Sequence, residues 1–181
     1  MKSVVFEPIK EQDLEMILEW RNAPFVRKNM YTSHEIKFSE HIKWFNSISK
    51  DCSKQYFITV IDDVPVGVIG FTEINNVKGL ATWAFYTSSD APRGSGSYIE
   101  YYALEYAFNE LALHKLRCEV LGFNQSVVKL HQKFNFSIEG RLRDAFFNED
   151  EQQYHDIYHL GIFSSEWQVQ REIMRNKLRI K

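Results

Sequence analysis

The sequence predicts an α/β protein of the α+β kind, with a mixed, mostly antiparallel central sheet of about seven strands flanked by helices. Of the 181 residues, 44% are hydrophobic and 15% aromatic, which is enough to bury one sizeable core. Short runs of alternating apolar residues, separated by Asp, Asn, Gly and Pro, are typical of strands joined by turns. Segments with apolar residues at helical spacing lie between these runs. Because no repeat or linker interrupts the pattern, we expect residues 1–181 to form a single domain.

The N-terminal third is predicted to contain one strand and two helices. Residues 3–8 alternate apolar and polar side chains, which indicates a strand. Residues 11–22 have helical spacing until Pro24 ends the pattern, and the following residues to 36 are expected to be loop. A second helix is predicted over residues 40–48, with Ser39 as its N-cap. The apolar positions that define the first helix are Leu14, Ile17 and Leu18, and those of the second helix, which are expected to face inward, are Ile42, Phe45 and Ile48.

Three strands with short connections are predicted in the middle of the chain. Residues 55–62 and 65–74 flank the turn-forming sequence Asp62-Asp63-Val64-Pro65. Residues 75–79 then turn the chain into a strand over residues 80–87. Since loops this short join antiparallel neighbours, the three strands are expected to form a meander.

The second half of the chain alternates helices and strands. A long helix over residues 97–111 is apolar on most sides, and we expect Glu100, Glu105 and Asn109 to mark its exposed edge. Apolar alternation predicts a strand over residues 115–121, where Cys118 is expected to pack in the core. The remaining elements are a helix over residues 125–134, strands over 136–147 and 153–163, and a charged amphipathic helix over 166–179.

Composition excludes several classes of function. The net charge of −2 disfavours a nucleic-acid or membrane-surface partner, because both roles favour a basic excess. The first residues lack the apolar stretch of a secretory signal, and no run of about 18 apolar residues could span a bilayer. The two cysteines, Cys52 and Cys118, are far apart and form no disulfide framework. We therefore expect a cytoplasmic protein.

A glycine-containing loop between the strand at 80–87 and the long helix is the most informative local feature. Its sequence is Ala91-Pro92-Arg93-Gly94-Ser95-Gly96-Ser97. The two glycines let the backbone approach a ligand closely, and the N–H groups at a helix N-terminus favour an anion such as pyrophosphate. A dinucleotide-binding loop would have a third glycine, and a P-loop would continue with Gly-Lys-Ser/Thr. A plain structural turn is the alternative interpretation.

The order of the segments that follow resembles the GCN5-related N-acetyltransferase (GNAT) family over essentially the whole chain. The family's pyrophosphate loop, Gln/Arg-x-x-Gly-x-Gly/Ala, falls on Ala91 to Gly96, with Arg93 a partial substitute for the first residue. The family's Asn-x-x-Ala-x-x-x-Tyr-x-Lys-x-Gly-Phe falls on residues 124–136. Within it Asn135 replaces glycine at a predicted helix C′ position, which Asn tolerates, and His131 replaces tyrosine. The matching positions of the second motif are Asn124, Lys133 and Phe136.

The resemblance implies acetyl-CoA as co-substrate and direct attack by an amine within a ternary complex. It implies that backbone N–H groups of the fourth strand polarise the thioester carbonyl, and that neither cysteine carries the acetyl group. The residues that it assigns to acetyl-CoA are Phe85, Thr87, Arg93, Gly94, Ser95, Gly96, Ser97, Asn124 and Lys133.

Two residues are candidates for proton transfer. His131 is the candidate acid for the leaving thiolate, because its ordinary pKa lies near neutrality. Simple packing under the sheet is its alternative role. Glu119 is the candidate base, with a surface salt bridge as the alternative role and a chain of waters as the alternative base. No metal is predicted, because His155 and His159 on one strand are roughly 13 Å apart along the chain.

The acceptor is expected to bind where residues 20–48 are least regular. Arg21 could hold an anion, Met30 and Tyr31 a flat ring, and Trp44 a sugar beside His41, although aromatic residues at this spacing also form cores. The sequences Glu19-Trp20-Arg21-Asn22 and Met30-Tyr31 resemble a GNAT subgroup, the amino-sugar nucleotide N-acetyltransferases of pseudaminic-acid biosynthesis, in the flagellin glycosylation pathway. By that resemblance the acceptor is the 4-amino group of a UDP-linked dideoxy amino sugar. The resemblance implies that Met30 and Tyr31 contact the nucleotide, and the residues that it places near the amino sugar are Arg21, Trp44, Tyr86 and Glu119.

Two alternatives remain open at this point. Glu139-Gly140-Arg141-Leu142-Arg143-Asp144, with Tyr154-His155-Asp156, also resembles the acetyltransferases of ribosomal-protein N-termini. A catalytically silent acyl-CoA-binding module is the other alternative, because His131 departs from the family's tyrosine. The expected partner is a small nucleotide-sugar acceptor, and a homodimer is one option for the oligomeric state.

Overall fold

The computed structural model describes residues 3–180. Its strands are β1 (Val4–Pro8), β2 (Gln55–Ile61), β3 (Val64–Asn75), β4 (Leu80–Thr87), β5 (Lys115–Leu121), β6 (Ser137–Asn148) and β7 (Gln153–Phe163). Its helices are α1 (Leu14–Asn22), α2 (Pro24–Arg27), α3 (Phe38–Ile48), α4 (Ser95–Glu105), α5 (Gln125–Lys133) and α6 (Ser164–Leu178). A 3₁₀ turn over Glu11–Asp13 precedes α1, and a π-helical turn over Tyr106–Glu110 extends α4.

Within residues 3–180 the strands form one mixed sheet in the order β1-β2-β3-β4-β5-β7-β6. Strands β4 and β5 are parallel, and every other neighbouring pair is antiparallel. The predicted fold class and the meander of β2, β3 and β4 are therefore confirmed. Parallel strands need a crossover connection, and here α4 supplies it.

Strands β4 and β5 pair over only three residues and then separate. The pairs are Leu80 with Lys115, Ala81 with Leu116 and Thr82 with Arg117. Beyond them β4 stays hydrogen-bonded to β3, and β5 to β7. The carboxyl-terminal halves of β4 and β5 thus border a gap in the middle of the sheet.

Hydrophobic cores lie on both faces of the sheet. The larger one packs α4, α5 and α6 against one face, and its largest fully buried side chains include Trp83, Trp167, Phe71 and Phe134. The smaller one packs Ile17 of α1 against Ile58, Val60 and Val68 of β2 and β3. Each face therefore supports the gap with packed helices.

Several predicted helix details are wrong. Helix α3 begins at Phe38, and the backbone N–H of Lys37 donates to the Glu40 carboxylate at 2.9 Å, so Ser39 is not the N-cap. His41 and not Ile42 faces inward from this helix, since His41 is buried and Ile42 is exposed. Residues 23–36, predicted as loop, include the short helix α2.

The C-terminal half differs from the prediction mainly at Glu100. Helix α4 begins at Ser95, two residues earlier than predicted, and Glu100 is 0% exposed instead of lying on a solvent edge. Asn135 has φ +75°, as expected of a residue that follows a helix C-terminus. No helix within residues 3–180 is long and apolar enough to cross a membrane.

Candidate functional site

The gap between β4 and β5 holds a cavity of about 300 Å³, here called the gap cavity. Because β4 pairs with β3 alone from residue 83 onward, alternate backbone N–H groups of its second half face this gap. The sequence-predicted residues that line the gap cavity are Met30, Tyr31, Phe85, Tyr86, Thr87, Glu119, Asn124 and His131. Residues predicted for the donor, the acceptor and proton transfer thus meet at one opening in the sheet.

A second cavity of about 460 Å³, here called the larger cavity, lies beside the gap. The sequence-predicted residues that line it are Arg21, Met30, His41, Trp44, Phe85 and Tyr86. Both cavities share Met30 and four consecutive residues of β4, Trp83 to Tyr86. The two spaces therefore adjoin along one strand.

His131 is held from behind by a carboxylate that the sequence pattern placed at the surface. Its Nδ1 lies 2.8 Å from Oε1 of Glu100, and the two residues are 4% and 0% exposed. Burial lowers the pKa of His131, but the nearby Glu100 carboxylate outweighs burial and raises it overall. Burial also raises the pKa of Glu100. Because separating the charges would leave a buried ion unpaired, the imidazole stays protonated through neutral pH and its Nδ1 proton lies in the hydrogen bond to the Glu100 carboxylate.

Cys118 lies on β5 in the wall of the gap cavity, next to this pair. It is buried, as predicted for a core position. It also lines the gap cavity, a position that the sequence pattern did not predict. Burial raises the pKa of its thiol, which keeps the sulfur protonated. Its surroundings therefore give it no activated nucleophile character.

Glu119 lies on β5 with its side chain partly open to solvent. Its Oε2 accepts a hydrogen bond of 2.7 Å from the hydroxyl of Tyr31, and its Oε1 lies 3.6 Å from Nδ1 of His159 on β7. Burial and the Glu119 carboxylate raise the pKa of the Tyr31 hydroxyl, so Tyr31 stays a donor at neutral pH. The arrangement fixes a carboxylate at the mouth of the gap, where it could accept a proton from an amine.

Arg21 brings a positive charge into the larger cavity. Its Nη2 donates to the carbonyl oxygen of Thr32 at 3.0 Å, while its buried Nη1 has no hydrogen-bond partner among residues 3–180. Burial lowers its pKa, yet a guanidinium stays charged at any physiological pH. A buried donor with no partner favours a ligand oxygen, and its charge favours an anion.

Aromatic side chains form much of the remaining wall of the larger cavity. The His41 ring stacks on Trp44 with centroids 4.9 Å apart, and Trp44 meets Tyr56 edge-on at 5.3 Å. Burial, and then the charge of Arg21, lower the pKa of His41, so its ring is neutral at neutral pH. Tyr56 was not predicted as a site residue, although its place in an alternating strand gave a signal that it could face a cavity.

The glycine loop lies at the start of α4, where Gly96 adjoins Phe85 in the wall of the gap cavity. Gly94 has φ +87°, and a Cβ built on it would meet nothing within 4 Å. A Cβ on Gly96 would meet Leu130 at 3.3 Å and Phe85 at 3.7 Å, so this glycine allows α4 to pack closely against the neighbouring elements. The Lys133 Nζ lies 3.4 Å from the Ser97 Oγ, which connects the loop with α5. Arg93, Ser95 and the rest of the loop lie outside both cavities.

No group of three or more His, Cys, Asp or Glu side chains within residues 3–180 is arranged to hold a metal ion. His155 instead lies 2.8 Å from the carboxylate of Glu151, and His159 faces Glu119. From the sequence alone, His159 is considered only as a metal ligand, a role that its spacing from His155 along a strand excludes. Its contact with Glu119 depends on the pairing of β5 with β7, which the local pattern does not specify.

Comparisons with known proteins agree with this geometry. A family model described as an acetyltransferase (GNAT) domain matches residues 3–137. Acetyltransferase PseH from Campylobacter jejuni strain 81-176 is 29% identical over 161 residues, covering 89% of this chain and 92% of that protein. Spermidine N(1)-acetyltransferase from Escherichia coli K12 is 25% identical over 166 residues, covering 91% and 88% of the two chains.

The same fold occurs in a solved structure of spermidine N-acetyltransferase from Vibrio cholerae in complex with CoA and spermine. Its TM-score is 0.84 at 22% identity, and the match covers 91% of this chain and 98% of that one. At this identity the likeness establishes the fold alone.

Proposed function

Because this chain belongs to the GNAT family of acetyltransferases, we propose that it acetylates the 4-amino group of a UDP-linked dideoxy amino sugar, with acetyl-CoA as the donor. We also propose that the whole chain works as one acetyltransferase domain. The observation that carries the choice of acceptor is Arg21, a half-buried cation whose buried Nη1 has no partner, in a cavity whose other walls are largely apolar and aromatic.

The charge of Arg21 favours binding of an anionic acceptor over a polycationic one. A diphosphate offers oxygens to the free Nη1 and neutralises the guanidinium charge. A polyamine would be repelled by the same charge. Of the described residues that line the larger cavity, Glu40 is the one carboxylate, and it is exposed and already accepts from the Lys37 N–H. This balance of charge favours the nucleotide-linked acceptor over spermidine.

The rest of the larger cavity suits a ring-bearing ligand. Trp44, Tyr56 and the ring of His41 offer flat apolar surfaces with polar edges, which bind sugars and bases well. Met30 lies between the two cavities and could contact a nucleotide, while Tyr86 borders both of them. Tyr31, predicted to stack a ring, instead reaches Glu119 and packs edge-on against Phe146 at 5.9 Å. We propose that Tyr31 lies near the amine end of the acceptor.

The donor site is proposed at the open end of the gap, and two features of the chain fit a pyrophosphate-bearing thioester there. Gly94 has a positive φ and an unobstructed outer face, so a phosphate can approach its backbone closely. Helix α4 starts one residue later, so its N-terminus adjoins Gly94, and a helix N-terminus favours an anion. Lys133, beside Ser97, adds a cation. Asn124, Phe85 and Thr87 would border the acetyl end.

The proposed reaction takes two protons from the ammonium form of the acceptor and supplies one to the leaving thiolate. Glu119 accepts the first proton directly or through water, and the neutral amine attacks the acetyl carbonyl carbon. The nitrogen of the tetrahedral intermediate then loses its second proton to water. Backbone N–H groups of β4 stabilise the oxyanion. The C–S bond breaks as the tetrahedral intermediate collapses, and His131 protonates the leaving CoA thiolate. The products are the N-acetylated sugar nucleotide and CoA.

Relatives of this chain support two acceptor classes unequally. The name of the spermidine-acetylating relative makes a polyamine the second candidate. The relative named acetyltransferase PseH has the higher identity, and the residues of this chain at 19–22 and 30–31 resemble the subgroup acting on amino-sugar nucleotides. Protein N-termini form a third class, resembled at residues 139–144.

The test is a comparison of acceptors with purified protein and acetyl-CoA. Release of CoA thiol would be followed with a UDP-linked 4-amino-4,6-dideoxy sugar, spermidine and a peptide with a free N-terminus, each product being identified by mass spectrometry. We expect the sugar nucleotide to give a kcat/KM at least about 100-fold above the others, a difference of about 2.7 kcal/mol. Preferred turnover of spermidine or the peptide would refute the proposal, and no CoA release with any of the three would also refute it.

A further inference from the structure

We propose that Glu100 is a positioning residue for the acid of this reaction, holding the His131 ring by Nδ1 so that its other nitrogen presents a proton to the gap. This inference rests on the proposed function, because it takes His131 as the donor to the leaving thiolate. It assigns a role to a carboxylate that the sequence pattern placed at the surface.

The geometry isolates the two side chains as a pair. Glu100 comes from α4 and His131 from α5, and their contact of 2.8 Å crosses the interface between these helices behind the gap. The Trp83 ring lies 5.5 Å from the imidazole and the Phe136 ring 5.2 Å, so the imidazole is enclosed by flat apolar groups. His131 also lines the gap cavity, whereas Glu100 does not. One member of the pair faces the reacting space and the other supports it.

An acid function explains why a carboxylate is buried here at all. Burying an unpaired carboxylate is strongly destabilising, whereas an apolar side chain at position 100 would pack in the core without that cost. A tyrosine, the residue usual in this family at position 131, keeps its proton up to about pH 10 without help. Burial without a charged partner would lower the pKa of a histidine below its ordinary value of about 6.5, so the ring would be neutral at pH 7. The carboxylate of Glu100 compensates for this difference.

Three titratable groups face the imidazole or its partner. Burial lowers the pKa of His131, and the Glu100 carboxylate from α4 raises it above its ordinary value. Cys118, from β5, also faces the imidazole, but burial keeps its thiol protonated and uncharged. Burial raises the pKa of Glu100 overall, while His131 and then Lys133, from the same helix as His131, oppose this rise and favour the ionised carboxylate. The ionised carboxylate keeps a proton on the imidazole where the thiolate needs one.

Nuclear magnetic resonance of the histidine rings tests the pair without any acceptor. The chain has six histidines, and the His131 signals would be assigned by their loss in His131→Gln. In the wild-type protein we expect the His131 ring to stay protonated from pH 5.5 to 8.5. In Glu100→Gln the carboxylate is gone while burial remains, so the pKa should fall below about 6.5. A wild-type ring that is neutral at pH 7.5 would overturn the proposal.

Kinetics then separate positioning from packing. We expect the ratio of wild-type to Glu100→Gln kcat to rise about tenfold per pH unit above the new pKa, because the mutant loses its acid as pH rises. The KM for acetyl-CoA should change less than about threefold. Glu105→Gln is the matched control, since Glu105 is a carboxylate on the same helix that pairs with Arg171 and Trp167. Its kcat ratio should be independent of pH.

The outcomes distinguish this inference from the proposed function. A kcat ratio for Glu100→Gln that stays constant with pH would show a purely structural pair and overturn the inference. If another acceptor class proves to be the substrate, the same pH test is run with that acceptor, and the inference stands or falls separately. If Glu100→Gln does not fold, the protonation state of His131 in the wild-type protein decides the matter.

Discussion

Replacing Arg21 by methionine tests the acceptor proposal at its most specific point. Of the two terminal nitrogens, Nη2 is engaged by Thr32 and Nη1 is buried without a partner. One charge-assisted hydrogen bond to the acceptor is therefore what the substitution removes from binding. Such a bond contributes about 1.5–3 kcal/mol, so kcat/KM for the UDP-linked amine should fall roughly 10- to 150-fold.

The assay compares two acceptors that differ only in the nucleotide. The kcat/KM of Arg21→Met would be measured with the UDP-linked amino sugar and with the same amino sugar lacking the nucleotide. The loss should appear with the first and stay below about threefold with the second. Lys28→Met serves as a control, because Lys28 is an exposed cation nearby that lines neither cavity. An equal loss with both acceptors would mean that Arg21 acts through its bond to the loop, and the reasoning would be refuted.

Two further changes address the base and the glycine loop. Glu119→Gln should lower kcat about 10²- to 10⁴-fold at saturating substrates, and a fall of less than about threefold would remove Glu119 from proton transfer. Gly94→Ala should cost roughly 1 kcal/mol through its positive φ alone, a fall of about 2–4 °C in Tm, since nothing obstructs the new methyl. Gly96→Val should destabilise the protein more, because the valine side chain would meet Leu130 and Phe85. Thermal unfolding and acetyl-CoA calorimetry would check both variants. Equal Tm values for the two variants would contradict the packing argument.

The strands could be predicted well because their signals are local. Asp62 and Asp63 have φ of 51° and 64°, the left-handed pair typical of a tight hairpin turn, and they fix the ends of β2 and β3. The run over residues 80–87 matches β4 in full. Turn chemistry and alternation together determine where such strands begin and end, and both are visible in the sequence.

The interior of the site could be predicted only in part, because its contacts join distant residues. Glu100 and His131 are 31 residues apart, and Tyr31 and Glu119 are 88 apart. Helical spacing identifies no partner for Glu100, so it predicts that this carboxylate lies on the exposed edge of an apolar helix. The signal that could have corrected this was present: a helix apolar on most sides has no solvent edge, so its charged residue needs a buried partner. For Tyr31 and His159, no comparable local signal exists.

The brief pairing of β4 with β5 has a consequence for the order of substrate binding. The glycine loop precedes α4, which packs in the core on one face of the sheet, and Arg21 lies in α1, which packs in the core on the other face. The opening between β4 and β5 joins these two faces. A molecule joining both substrates would have to pass through the sheet itself. Either substrate can then arrive or leave first, so initial-rate patterns should show random addition, with each product competing only with the substrate from its own side.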